Sequence, residues 1–123
     1  CAAALAVLEV IEQEQLISRA QHIGRVFHQH LVSLQSAFPH LIGEVRHSGA
    51  MIAIELISES SFDKPNTALT QVIIAKAAEY GLILLACGFY GNVIRFLPPL
   101  TISDDVMQEG IEKFVALFQD VAQ

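Results

Sequence analysis

The sequence contains no tryptophan, only two cysteines, Cys1 and Cys87, and only seven lysines and arginines against thirteen acidic residues. Each shortage excludes something. A formal charge of −6 with no cluster of Lys or Arg lacks the electrostatic footprint that nucleic-acid binding requires. Two thiols far apart in sequence match no paired metal-ligand spacing, and so few cysteines fit a reducing, cytoplasmic setting. The longest apolar runs, such as Cys1 to Leu8 and Leu82 to Cys87, fall far short of the roughly twenty residues of a membrane span. No basic segment precedes an apolar stretch at the start, and the chain opens Cys1-Ala2-Ala3-Ala4 without a methionine, so it is expected to be a piece of a longer protein. Charged residues make up 16%, against about a quarter in ordinary domains, which predicts apolar surface covered by something outside the chain.

What is there is enough for one core. A length of 123 residues at 53% hydrophobic content predicts a single domain over residues 1–123. Ala2 to Ile11 is rich in Ala, Leu and Val on every side, which predicts a helix buried all round. Leu16, Ala20, Ile23, Phe27, Leu31, Leu34 and Phe38 recur at spacings of three and four, giving one apolar stripe on a long helix that Pro39 closes. Leu41 to Arg46 and Met51 to Ile57 read as strands joined by His47-Ser48-Gly49-Ala50, an antiparallel hairpin. Ser58 to Asn66 reads as a surface loop.

Asn66 then caps a helix through Leu69, Val72, Ile73, Ala75 and Ala78, which Gly81 ends. Leu82 to Ala86 reads as a third strand, and Gly88-Phe89-Tyr90-Gly91 turns the chain into a fourth. After Pro98-Pro99, Thr101 or Ser103 caps a last helix with Asp104 and Asp105 in its first turn and Met107, Ile111, Phe114, Phe118 and Val121 on its buried stripe. The order α-α-β-β-α-β-β-α defines an α+β fold, a small and mainly antiparallel sheet with helices packed on one face.

The fourth strand carries a lone arginine that is open to a structural reading and to a functional one. Alternation puts Val93, Arg95 and Leu97 on one face and Ile94 and Phe96 on the other, so Arg95 sits among hydrophobic neighbours. A permanently charged guanidinium in such surroundings needs a carboxylate. Either Glu55 or Glu44 supplies it from a neighbouring strand, or a ligand does, held by a planar bidentate clamp. The remaining candidates are weaker. His28 and His30 are two apart on a helix and point to different sides, so no metal site is assigned. The Gly88–Gly91 segment leads into a strand, so no helix N-terminus stands behind it to hold phosphate. Cys87 reads as a small buried hydrophobe, and His47 beside Ser48 does not make a catalytic triad.

Three segments carry a family resemblance that extends, in order, over essentially the whole chain. Gly91-Asn92-Val93-Ile94-Arg95-Phe96-Leu97-Pro98-Pro99-Leu100-Thr101-Ile102 resembles the C-terminal signature of the class-III pyridoxal-phosphate aminotransferases, in particular those acting on 4-aminobutyrate. Cys1 to Ile11 resembles the helix after the family's Gly-Asn-Pro segment, and Val45-Arg46 through Gly49-Ala50-Met51 to Glu55 resembles its Val-Arg-Gly-x-Gly-x-Met hairpin.

The resemblance implies the C-terminal small domain of a fold-type-I enzyme, normally a homodimer, that transfers an amino group from 4-aminobutyrate or a similar ω-amino acid to 2-oxoglutarate. Arg95 falls on the family's arginine that binds the substrate carboxylate. No catalytic, cofactor-binding or metal-ligating residue is assigned in this chain. The Schiff-base lysine belongs to the family's large domain, and Lys64, Lys76 and Lys113 match no such motif. The chain alone is expected to bind no pyridoxal 5'-phosphate and to be inactive. One departure stands out: His47-Ser48 replaces the usual Gly and hydrophobic residue, and a positive φ there would strain His47. Judged without the resemblance, a regulatory α+β module that binds small molecules or a dimerisation domain is the alternative.

Overall fold

The computed structural model describes residues 1–122. In chain order the elements are α1 (Ala2–Gln13), α2 (Leu16–Ala37), β1 (Ile42–Ser48), β2 (Met51–Ser58), β3 (Ser61–Pro65), α3 (Thr67–Lys76) continued by a 3-10 turn over Ala77–Tyr80, β4 (Leu85–Cys87), β5 (Val93–Phe96) and α4 (Asp104–Val121). The expected order is present, with β3 added.

All strand pairs are antiparallel, in the spatial order β1-β2-β5-β4, with β3 also paired to β2. Because side chains alternate along a strand, Ile52, Ile54 and Leu56 of β2 and Ile94 and Phe96 of β5 share one face, and all five are buried. Onto that face pack Ile23, Phe27, Leu31 and Leu34 of α2, Ile73 of α3, and Met107, Ile111, Phe114, Leu117 and Phe118 of α4. These are the inner members of the stripes expected on the second and last helices, with Leu117 added, while Ala20, Phe38 and Val121 are only partly buried at the edge of the core. Each such side chain contributes about 1.5–3 kcal/mol on burial. Aromatic rings join the layers: Phe96 lies 5.5 Å from Phe27 and 4.8 Å from Phe114, the latter edge to face. The opposite face, with Met51, Ala53, Glu55, Leu85 and Arg95, carries no helix among the described residues.

Four local expectations are corrected. No residue of α1 is buried, and Leu5, Val7 and Leu8 are each about 60% exposed. Its apolar composition suits burial, but only α2 packs against it to any extent. The Ser58–Asn66 loop contains β3, reached through Glu59 and Ser60 at φ of 55° and 57°. Polar, proline-bearing sequence marks a short edge strand as well as a loop. The third strand covers Leu85–Cys87 rather than Leu82–Ala86. The chain leaves its helix through Gly81 at φ 73°, and the Leu82 amide still donates back to the Ala77 carbonyl at 2.9 Å. Finally, the strain expected at His47 does not arise. Ser48 pairs with Met51 around a turn of Gly49 and Ala50, the positive φ of 56° falls on Gly49, and His47 lies in the strand opposite Ile52.

Candidate carboxylate site

β5 is held in place from three sides. Ile94 and Phe96 are locked in the core, and Asn92, itself buried, ties the start of the strand to β2. Its Nδ2 donates to the Leu56 carbonyl at 2.9 Å, and its carbonyl accepts from the Leu56 amide at 2.8 Å. Beyond Pro98-Pro99 the Ile102 amide donates to the Pro99 carbonyl at 3.0 Å, and Arg19 of α2 donates to both the Ile102 carbonyl and the Asp104 carboxylate, the latter at 2.6 Å. Ser103, not Thr101, caps α4: its hydroxyl accepts from the Val106 amide at 3.4 Å. The hydrogen bond from Arg19 holds the Asp104 carboxyl below the ordinary aspartate range, with His22 adding a weaker attraction.

On this fixed strand Arg95 projects from the open face, between Ala53 of β2 on one side and Leu85 of β4 on the other. The hydrophobic neighbours are as expected, but the residue is exposed rather than enclosed. Among the described residues no carboxylate lies within 4 Å of it. Glu44 and Glu55, the two internal partners the sequence offered, are both taken by Arg46, at 2.7 and 2.9 Å. The register explains why. Glu44 and Glu55 face each other across β1 and β2, an unfavourable like-charge pair, and Arg46, two residues from Glu44 on the same face, neutralises both. Burial opposes the charge of Arg46, but its bonds to Glu55 and Glu44 outweigh that and raise its pKa. The Glu44-x-Arg46 spacing was legible in the sequence as one strand face and is the signal that identifies this arrangement.

Arg95 and Arg46 border one open hollow of about 310 Å³, floored by Ala53 and Val93 and edged by Met51, Ser48 and Cys87. On its other side Arg95 borders a larger, mostly apolar cleft of about 390 Å³ between Leu82–Leu84, Leu97–Pro99 and α4. An unpaired guanidinium on a rigid strand beside open space presents a planar set of donors that matches a carboxylate in two-point contact.

The other candidates stay apart from this site. Cys87 is half-buried at the rim of the hollow, not in the core, because β4 is the edge strand and that face is open. Gly88–Gly91 forms the expected turn: the Gly91 amide donates to the Gly88 carbonyl at 3.1 Å, with φ of 84° and 67° at the two glycines. The His28 ring lies tilted against that of His47, ring centres 5.1 Å apart, and no group of three His, Cys, Asp or Glu converges as a metal site among the described residues. The lysines are engaged at the surface, Lys64 with Glu59, Lys76 with Asp120 at 3.2 Å and Lys113 with Glu109 at 2.5 Å. A Schiff-base lysine needs a desolvated amine, and none of the three has that setting, so these residues do not fit pyridoxal phosphate.

The geometry defines a class: an α+β domain that offers one free arginine on an uncovered sheet face. The comparisons with known proteins supply the family. Residues 1–118 match the class-III aminotransferase family, and the chain belongs to it. It is 45% identical over 123 residues to 4-aminobutyrate aminotransferase GabT of Escherichia coli (strain K12), covering all of this chain and 29% of that protein. It is 44% identical over 122 residues to 5-aminovalerate aminotransferase DavT of Pseudomonas putida, covering 99% and 28%. Among solved structures, a Bacillus anthracis aminotransferase superposes with a TM-score of 0.86 at 28% identity, covering 98% of this chain and 28% of that one. A phospholyase from Arthrobacter in complex with phosphoethanolamine superposes with a TM-score of 0.85 at 26% identity, covering 96% and 28%. The chain thus spans less than a third of the length of these relatives.

Proposed function

We propose that the chain is the C-terminal small domain of a pyridoxal-phosphate aminotransferase, and that Arg95 clamps the carboxylate of the substrate. The enzyme moves the amino group of 4-aminobutyrate, or of an ω-amino acid of similar length such as 5-aminovalerate, to 2-oxoglutarate. The observation that carries this reading is the unpaired Arg95: the neighbouring carboxylates are neutralised elsewhere, and the guanidinium faces open space on a strand fixed at both ends. Similarity along the whole chain to enzymes named for 4-aminobutyrate and 5-aminovalerate supports the substrate class.

Pyridoxal phosphate supplies the electron sink for amino-group transfer when bound, and the groups that hold it belong to the remainder of the parent enzyme. This chain contributes orientation. By fixing the carboxylate end, Arg95 sets where the amino end of a flexible ω-amino acid lies. The chain by itself carries out no transamination, and the parent enzyme is a cytoplasmic homodimer. Assaying the full-length protein with 4-aminobutyrate and 5-aminovalerate against 2-oxoglutarate tests the reading through glutamate formation. No glutamate from either donor overturns the substrate assignment, and elimination of phosphate from phosphoethanolamine instead would place the protein with the phospholyase.

A further inference from the structure

The internal partner that Arg95 lacks is close at hand. Glu55 sits on β2, the strand next to β5, two residues from Ala53, which is the direct neighbour of Arg95. Glu55 and Arg95 are therefore on the same face in diagonal positions, about 7–8 Å apart at the backbone and within reach of long side chains. Glu55 is also mostly covered, its side chain 24% exposed, so it gains from a cationic partner. In the structure it turns the other way, to Arg46 on β1 at 2.9 Å. Glu44 is no competitor for Arg95, because it lies on β1 with β2 between, roughly 10 Å from β5.

We propose that Arg46 is a positioning residue for substrate binding: by holding Glu55 on the β1 side, it keeps Arg95 free to take a carboxylate. The inference rests on the reading of Arg95 as the clamp. An internal Glu55–Arg95 pair would compete directly with the substrate, and its strength would subtract from substrate affinity. Arg46 prevents it by being doubly satisfied itself, bridging the two carboxylates that face each other across β1 and β2.

The test uses the full-length enzyme and glutarate, an unreactive dicarboxylate, with its dissociation constant measured by calorimetry. Arg46→Met releases Glu55 and should weaken glutarate roughly three- to fivefold, the upper part of the range an ion pair of this exposure supports. Adding Glu55→Gln to Arg46→Met removes the competitor and should restore binding to within about twofold of wild type. Arg46→Lys, which keeps the charge, should stay closer to wild type than Arg46→Met. If the methionine variant does not fold, Arg46→Gln, with and without Glu55→Gln, takes its place.

Unchanged affinity in the Arg46 variant, or a loss that Glu55→Gln does not restore, overturns the proposal; so does equal restoration by Glu44→Gln, which relieves the Glu44–Glu55 repulsion across the hairpin but leaves Glu55 free to compete. Arg95→Ala in the same series separates the two readings. If it leaves glutarate affinity unchanged, the clamp itself is wrong. If it abolishes binding while the Arg46 pair of variants shows no rescue, only the role of Arg46 falls.

Discussion

Gly24 of α2 and Gly49 at the tip of the β1–β2 hairpin meet with no room for a methyl group between them. A Cβ on Gly24 would fall deep inside contact distance of the Gly49 carbonyl oxygen and 2.6 Å from Nδ1 of His47. The long helix and the hairpin that carries Arg46 and Met51 are therefore set against each other at backbone contact. Alanine is the better helix former by about 1 kcal/mol, so substitution in an unconstrained helix would stabilise. Here Gly24→Ala should instead destabilise by roughly 1–3 kcal/mol, because helix and hairpin must separate. Urea unfolding midpoints compared at constant slope give the answer, and an unchanged or raised midpoint would show that the hairpin yields freely.

The aromatic contact under the site gives a second prediction. Phe114 is buried against Phe96, the residue after Arg95, with ring centres 4.8 Å apart. Phe114→Ala should cost about 3–5 kcal/mol, while Phe114→Leu, which refills most of the volume, should cost clearly less. Denaturant unfolding checks both, and equal losses would show that lost volume is not the cause.

The tie between Arg19 and Asp104 predicts a pH dependence. The hydrogen bond from Arg19 lowers the Asp104 carboxyl below its ordinary value of 3.8. A carboxyl depressed in the folded state adds stability that is complete above the unfolded value and vanishes as pH falls through the lower, folded one. Wild type should therefore melt above Asp104→Asn at neutral pH, and the gap should close below pH 3.8. A gap that persists unchanged into strong acid would place the effect of the substitution in something other than the charge.

Much of the fold was legible because one physical signal dominated each element. The three-and-four spacing of Ile23, Phe27, Leu31 and Leu34 corresponds to one buried face, and Ser103 followed by Asp104 and Asp105 marks the start of α4. Arg95 was legible as a problem, a charge on an apolar strand, but not its outcome, since two nearby glutamates satisfied the same pattern. What decided between them was strand register. Glu44 opposite Glu55 draws Arg46 between them, and register depends on the bulge near Gly43 and the turn at Gly49 rather than on composition. The errors share a cause as well. Ala2–Gln13 is apolar, but burial requires a neighbour, and this chain provides little beyond α2. Ser61–Pro65 is polar and pairs all the same, because an edge strand needs only backbone partners.

The central claim is that Arg95 recognises the substrate carboxylate, and substrate discrimination by the full-length enzyme tests it most directly. Arg95→Ala should lower kcat/KM for 4-aminobutyrate by roughly 10²–10³-fold, the loss expected when one partner of a hydrogen-bonded charge pair is truncated. For n-butylamine, of the same length without the carboxylate, the change should stay below about tenfold, so the preference for the acid collapses. A preference that survives the substitution intact would contradict the account.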